Sequence, residues 1–189
     1  TGTSVGKFSY TKEGLMLGMK SGVGSARIDL GHGVMVCALS IVNALGNVVL
    51  PNGEILAGNR NDEKSPKFRT FKGSSNFLTE NTMNTTISVV GINVDLGNHE
   101  NYERVAHIAT HGQVRAINPV HTSVDGDTVF VFSTEEVKKF ISPLGKSISK
   151  NGWSLLDIDI IGQTAAIAVQ ESIYDACNSA ETIDYKKAY

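Results

Sequence analysis

From Val34 to Val42 the chain is almost unbroken apolar sequence, with Ser40 as the polar exception and Asn43 directly after it. Such a run, bounded by glycine and asparagine, predicts a strand buried on both faces. A buried strand needs neighbours on each side and a covering layer, so it commits the chain to a layered sheet protein. Ala26–Leu30 alternates, and Gly31-His32-Gly33 joins it to the buried run as a hairpin. Ser4–Tyr10 also alternates and reads as a strand. Thr85–Val94 is β-branched and strand-like, and so is Val129–Phe132. Leu50-Pro51-Asn52-Gly53-Glu54 is a turn within a small hairpin.

Helical patterns follow the strands. One opens at Asn98 or His99, repeats apolar residues at Tyr102, Val105, Ala106 and Ala109, and is stopped by Pro119. Ser133 or Thr134, followed by Glu135 and Glu136, predicts the capped start of a short helix. A long helix is expected from about Ser154 to Cys177, followed by a polar tail over 178–189. Residues 59–80 are polar and charged without periodicity, and read as a mobile surface loop. The expected class is α+β, as one domain over 1–189.

The chain has 189 residues, enough for one domain that buries about 70% of its unfolded surface. A net charge of −2 gives no pull toward nucleic acid or an anionic membrane. No apolar run approaches the ~18 residues of a membrane span. Cys37 and Cys177 sit in apolar runs without metal-ligand spacing, which predicts buried free thiols and a reducing, cytoplasmic setting.

The chemistry begins with Thr1. An N-terminal threonine carries a nucleophile, its Oγ, and a base, its own α-amine, whose ordinary pKa is about 7.7–8.0. An ordinary trimmed terminus is the competing reading. Ser40 and Asn43 either satisfy neighbouring backbone groups or orient Thr1 from the end of a central strand. Glycine is dense between Gly14 and Gly33. That density suits either tight sheet corners or backbone amides facing a ligand, and it makes Lys20, Gly22 and Gly24 the candidate substrate-binding residues. His107 and His111 stand four apart without a third ligand, and Asp125-Gly126-Asp127 reads as turn chemistry. No cofactor and no metal are expected.

Several stretches taken together resemble one family. They are the opening Thr1–Lys7, the Lys20–Ser25 turn, Val42-Asn-Ala-Leu-Gly46, Gly53–Gly58, Asn84-Thr-Thr-Ile87, Arg115–Thr122 and Asp125-Gly-Asp-Thr-Val-Phe130. All look like the nucleophile-bearing C-terminal subunit of the DmpA/β-aminopeptidase family, nearest its nylon-oligomer endohydrolase branch. The resemblance implies an N-terminal-nucleophile hydrolase with a four-layer αββα sandwich. It implies a precursor that cuts itself before the nucleophile, and an N-terminal subunit from the same precursor as partner within a homo-oligomer. On that footing Thr1 is the nucleophile, Asn43 and Ser40 support it, and the substrate is a linear amide: a 6-aminohexanoate oligomer, a β-peptide or an amino-terminal peptide. Where the nylon-oligomer enzymes have acidic residues on the Val34–Asn43 strand, this chain has Ser40 and Asn43. Pantetheine-type amides and acyl transfer of the ornithine acetyltransferase kind are the alternatives.

Overall fold

The computed structural model describes residues 3–8, 18–60, 67–71, 84–138, 140–141, 147–148 and 152–182. In chain order the elements are β1 (Ser4–Val5), β2 (Met19–Lys20), β3 (Val23–Asp29), β4 (Met35–Ile41), β5 (Asn47–Val49), β6 (Ile55–Ala57) and β7 (Ile87–Val94). Helix α1 (His99–Ala116), β8 (Ile117–Asn118), β9 (Thr128–Val137), β10 (Phe140–Ile141), β11 (Ser147–Ile148) and α2 (Leu155–Asn178) complete the order. The main sheet runs β3-β4-β7-β9. Its first two pairings are antiparallel, and β7 lies parallel to β9 with α1 in the connection between them. The other described strands form a three-stranded sheet, β6-β5-β8, and the pairs β1-β2 and β10-β11.

Alternation along the strands decides what each face meets. Val36, Ala38 and Ser40 of β4, with Val90, Ile92 and Val94 of β7, are buried in the same core as Val105 and Ala109 of α1 and Ile161, Ala165 and Val169 of α2. The opposite face carries Leu39, Ile41, Ile87, Phe130 and Phe132, all exposed. The expectation that the Val34–Val42 run is buried on both faces is therefore corrected. No described element lies over its second face, and Cys37 is an exposed free thiol there. Cys177 is a free thiol too, and burial pushes its pKa up to about 12.

Local signals explain both helices. Asn98 caps α1 by accepting from the Asn101 amide at 2.9 Å. Ser154 and Asp157 form a reciprocal capping box on α2. The short helix expected at Ser133 is instead a continuation of β9. The Ser133 hydroxyl donates to the Val94 carbonyl at 2.8 Å and accepts from the Glu135 amide, while Glu135 takes φ +53°. The same cap chemistry here bends a strand, because β7 is already alongside to hold it. The strand expected over Ser4–Tyr10 is described only as Ser4–Val5, with Ser9 and Tyr10 outside the described residues. Of the 59–80 loop, residues 61–66 and 72–80 lie outside them, as do 183–189 of the tail.

Candidate active site

Four segments far apart in sequence end at one place: the turn after β1, the end of β4, the entry to β7 and the loop before β9. After β1 the chain turns at Gly6, whose φ is +72° and where a Cβ would lie 2.0 Å from the Asn59 nitrogen. Only glycine fits. The Asn59 side chain then donates to the Gly6 carbonyl at 2.7 Å. The Gly6 and Lys7 amides bond to the carbonyls of Gly46 and Leu45 at 2.7 and 2.8 Å. This lays Lys7 beside the end of β4 and buries it.

Asn43 is the hub. Its side-chain oxygen accepts from Lys7 Nζ at 2.8 Å and from the Ser4 amide at 3.3 Å. Its backbone carbonyl accepts from Lys7 Nζ at 3.3 Å and from the Thr85 amide at 2.8 Å. Lys7 Nζ and Thr85 thus converge on a single carbonyl. Burial pushes the Lys7 amine down to about 8, with the Asp125 and Asp127 carboxylates pulling in the opposite direction. An amine in that range is neutral in appreciable fraction at mildly alkaline pH and can accept a proton.

The Thr85 hydroxyl lies 2.5 Å from the carbonyl oxygen of Asn84, the peptide immediately before it. That same oxygen accepts the Gly126 amide at 2.8 Å. A Cβ on Gly126 would sit 2.8 Å from Thr85 Oγ1, so a side chain there would crowd the hydroxyl. Asp125 and Asp127 build the loop that brings Gly126 in. Asp125 Oδ2 accepts from the Thr122 amide and hydroxyl at 3.0 and 2.6 Å, and its Oδ1 is buried without a hydrogen-bond partner. Asp127 accepts from the Thr86 amide at 2.6 Å and from the His121 amide at 3.2 Å. A hydroxyl beside a peptide carbonyl, a backbone N–H on that carbonyl oxygen and a low-pKa amine nearby are the parts of an acyl-transfer site.

Of the residues expected from the sequence, Asn43 is at the centre of this site. Thr1 lies outside the described residues. The Ser40 hydroxyl bonds the hydroxyls of Ser88 on β7 and Ser172 on α2 at 2.8 and 2.6 Å, so these partners are side chains and not the neighbouring backbone groups expected from the sequence. Lys20 Nζ donates to the Ser21 carbonyl at 3.2 Å. Gly22 accepts the Val42 amide through its carbonyl. Gly24 lets α2 reach the sheet, since a Cβ there would lie 2.3 Å from the Ser172 carbonyl oxygen. These three stand on β2, on β3 and between them, and the two glycines serve packing.

Sequence reasoning passed over Lys7, Thr85, Asp125, Gly126 and Asp127. The signal available was a lone lysine in a strand pattern, together with Asn84-Thr85 and Asp125-Gly-Asp among the motifs already singled out. Among the described residues no group of His, Cys, Asp and Glu could hold a metal ion, and His107 stacks edge-on against His111. No helix among them is long and apolar enough to cross a membrane.

Comparison with known proteins agrees with this architecture. Residues 14–188 match the family model described as peptidase family S58. A protein named an uncharacterized aminopeptidase of Mycobacterium leprae is 36% identical over 125 residues, covering 64% of this chain and 34% of its own length. A 6-aminohexanoate-oligomer endohydrolase of Kocuria is 27% identical over 164 residues, covering 82% and 44%. Among solved structures, the L-aminopeptidase D-Ala-esterase/amidase of Ochrobactrum anthropi, described as a variant of the Ntn hydrolase fold, superposes with a TM-score of 0.58 at 19% identity. It covers 89% of this chain and 43% of that one. A Pyrococcus horikoshii protein gives 0.56 at 18% identity, covering 97% and 44%. The chain therefore spans between about a third and a half of the length of these proteins. It belongs to peptidase family S58, and its fold is that of the N-terminal-nucleophile hydrolases.

Proposed function

We propose that this chain forms part of an amide hydrolase that activates itself by cutting its own backbone between Asn84 and Thr85, with Thr85 as nucleophile. The observation that carries the reading is the Thr85 hydroxyl held against the Asn84 carbonyl while the Gly126 amide holds the same oxygen. As Oγ1 bonds to the Asn84 carbonyl carbon, its proton passes to the neutral Lys7 amine. Charge develops on the carbonyl oxygen, where the Gly126 N–H meets it. The carbon–nitrogen bond then breaks, the Thr85 nitrogen takes the proton, and Asn84 is left as an ester on Oγ1. Water hydrolyses that ester to a carboxylate, and Thr85 is freed with its own amine. One residue then holds nucleophile and base for further amides.

This assignment moves the nucleophile from Thr1 to Thr85. The sequence expectation placed residues 1–189 within the nucleophile-bearing subunit; here residues before Thr85 belong to the N-terminal fragment. The exposed apolar face of β4, β7 and β9 is where further polypeptide of the same precursor would pack to complete the sandwich. Homo-oligomers of the processed pair are part of the proposal. The substrate proposed is a linear amide with a small amine-bearing end. The names of relatives, aminopeptidase and 6-aminohexanoate-oligomer endohydrolase, favour that class over acyl transfer. The test is hydrolysis of aminoacyl anilides, β-peptides and 6-aminohexanoate oligomers by the full polypeptide. Release of free amine by wild type and none by Thr85→Ala is expected. Full activity in Thr85→Ala would overturn the assignment.

A further inference from the structure

Beneath the site, on the helix side of the sheet, Gln113 of α1 is completely buried. Its side-chain amide reaches the backbone of both strands that carry site residues. Nε2 lies 3.2 Å from the Thr86 carbonyl, 3.4 Å from the Thr128 carbonyl and 3.3 Å from Ser88 Oγ. Thr86 directly follows Thr85, and Thr128 directly follows Asp127. The same two residues are joined backbone to backbone, Thr128 N to Thr86 O at 3.0 Å, and the Asp127 carboxylate holds the Thr86 amide at 2.6 Å. An apolar residue would fill this place in a helix–sheet core at lower desolvation cost. Gln113 instead keeps Oε1 buried with no hydrogen-bond partner, and the Thr86 hydroxyl oxygen is in the same condition. The Gln113 donors reach the carbonyls of Thr86, which directly precedes β7, and of Thr128, the first residue of β9, and so tie the entries of two parallel strands together.

We propose that Gln113 is a positioning residue: it holds the Thr86 and Thr128 strand entries in register and thereby keeps the Thr85 hydroxyl and the Asn84 carbonyl under the Gly126 amide. The inference rests on the reading of Thr85 as nucleophile. A shift of about 1 Å in such an arrangement can cost on the order of a hundredfold in rate.

The test uses Gln113→Met, which keeps volume and helix propensity, and Gln113→Asn, which keeps the amide but withdraws it from both carbonyls. In folded full polypeptide, backbone cutting is expected to slow at least tenfold in each, with Tm lowered by no more than about 4 °C. Combination of Gln113→Met with Asp127→Asn is expected to be less than multiplicative, since both act on the Thr86–Thr128 register. In the uncut Thr85→Ala background, amide exchange at Thr86 and Thr128 is expected to quicken in Gln113→Met relative to the rest of β7 and β9. Wild-type cutting rates in either folded variant would overturn the proposal, as would failure of both to fold, which would make Gln113 a core residue only. If the wild type is not cut before Thr85, the reading of Thr85 falls. Exchange then decides Gln113 alone: unchanged protection at Thr86 and Thr128 overturns the register role, and quickened exchange there supports it.

Discussion

Two polar clusters, one buried against the helices and one half-buried at the strand ends, differ in kind. On the helix side, the Ser40, Ser88 and Ser172 hydroxyls bond one another, and Ser172 also donates to the Val169 carbonyl at 2.8 Å. That cluster is neutral, and its hydroxyls are continued by neutral partners, Gln113 Nε2 on Ser88 and the Val169 carbonyl on Ser172. At the strand ends, Lys7, Asn43, Thr85, Asp125 and Asp127 bring buried charge, a depressed amine pKa and an unpartnered carboxylate oxygen together. Evenly satisfied polar groups tie layers together, whereas unevenly satisfied ones retain capacity to change protonation state and bonding. The contrast assigns chemistry to the strand ends and packing to the serines.

The largest expected break in that contrast comes from Lys7→Met. Loss of a proton acceptor costs about a hundredfold or more in cutting rate, measured as the disappearance of precursor with time. The pH dependence sharpens it. Because the folded Lys7 amine titrates near 8, below its ordinary value of 10.5, the wild-type rate should rise with pH through about 8, and Lys7→Met should lose that step. Stability follows the same sign. The unfolded chain binds the extra proton between these two values, so burying Lys7 penalises folding fully below pH 8, and the penalty fades as pH rises toward 10.5. Denaturant midpoints of wild type should therefore climb across that window more steeply than those of Lys7→Met.

Gly126→Ala is next. Its added methyl would stand 2.8 Å from Thr85 Oγ1, and the hydroxyl must move. We expect cutting slowed about tenfold with secondary structure retained by circular dichroism, in line with the cost of displacing one aligned group. An unchanged rate would remove Gly126 from the site. Ser40→Ala should have the smallest effect: about 1 kcal/mol of stability by denaturant titration, since Ser88 and Ser172 keep other partners, and a cutting rate within about twofold of wild type. A large rate loss with intact folding would erase the distinction between the two clusters.

What the sequence made legible was what it encodes locally. The β3–β4 hairpin, α1 with its Asn98 cap and α2 with its Ser154 box all follow from periodicity and caps within a few residues. Ser133-Thr134-Glu135-Glu136 misled because the same hydroxyl-then-acid chemistry serves a helix start or a bent strand, and only the neighbouring β7 decides. Asn43 was legible as a polar residue closing an apolar strand. Thr85 was not, since a threonine opening a β-branched segment looks like any strand residue until Asn84, Gly126 and Lys7 are brought around it. Asp125-Gly-Asp carries the composition of a turn and forms one, and that turn delivers the Gly126 amide to the Asn84 carbonyl.

The central claim, that the Asn84–Thr85 peptide is the bond this protein breaks in itself, is tested most directly by intact mass and N-terminal sequencing of the full polypeptide after expression. The account predicts two fragments, the second beginning Thr85-Thr86-Ile87, and a single uncut chain for Thr85→Ala. A processed chain whose new N-terminus is Thr1, with the Asn84–Thr85 bond intact, would contradict it.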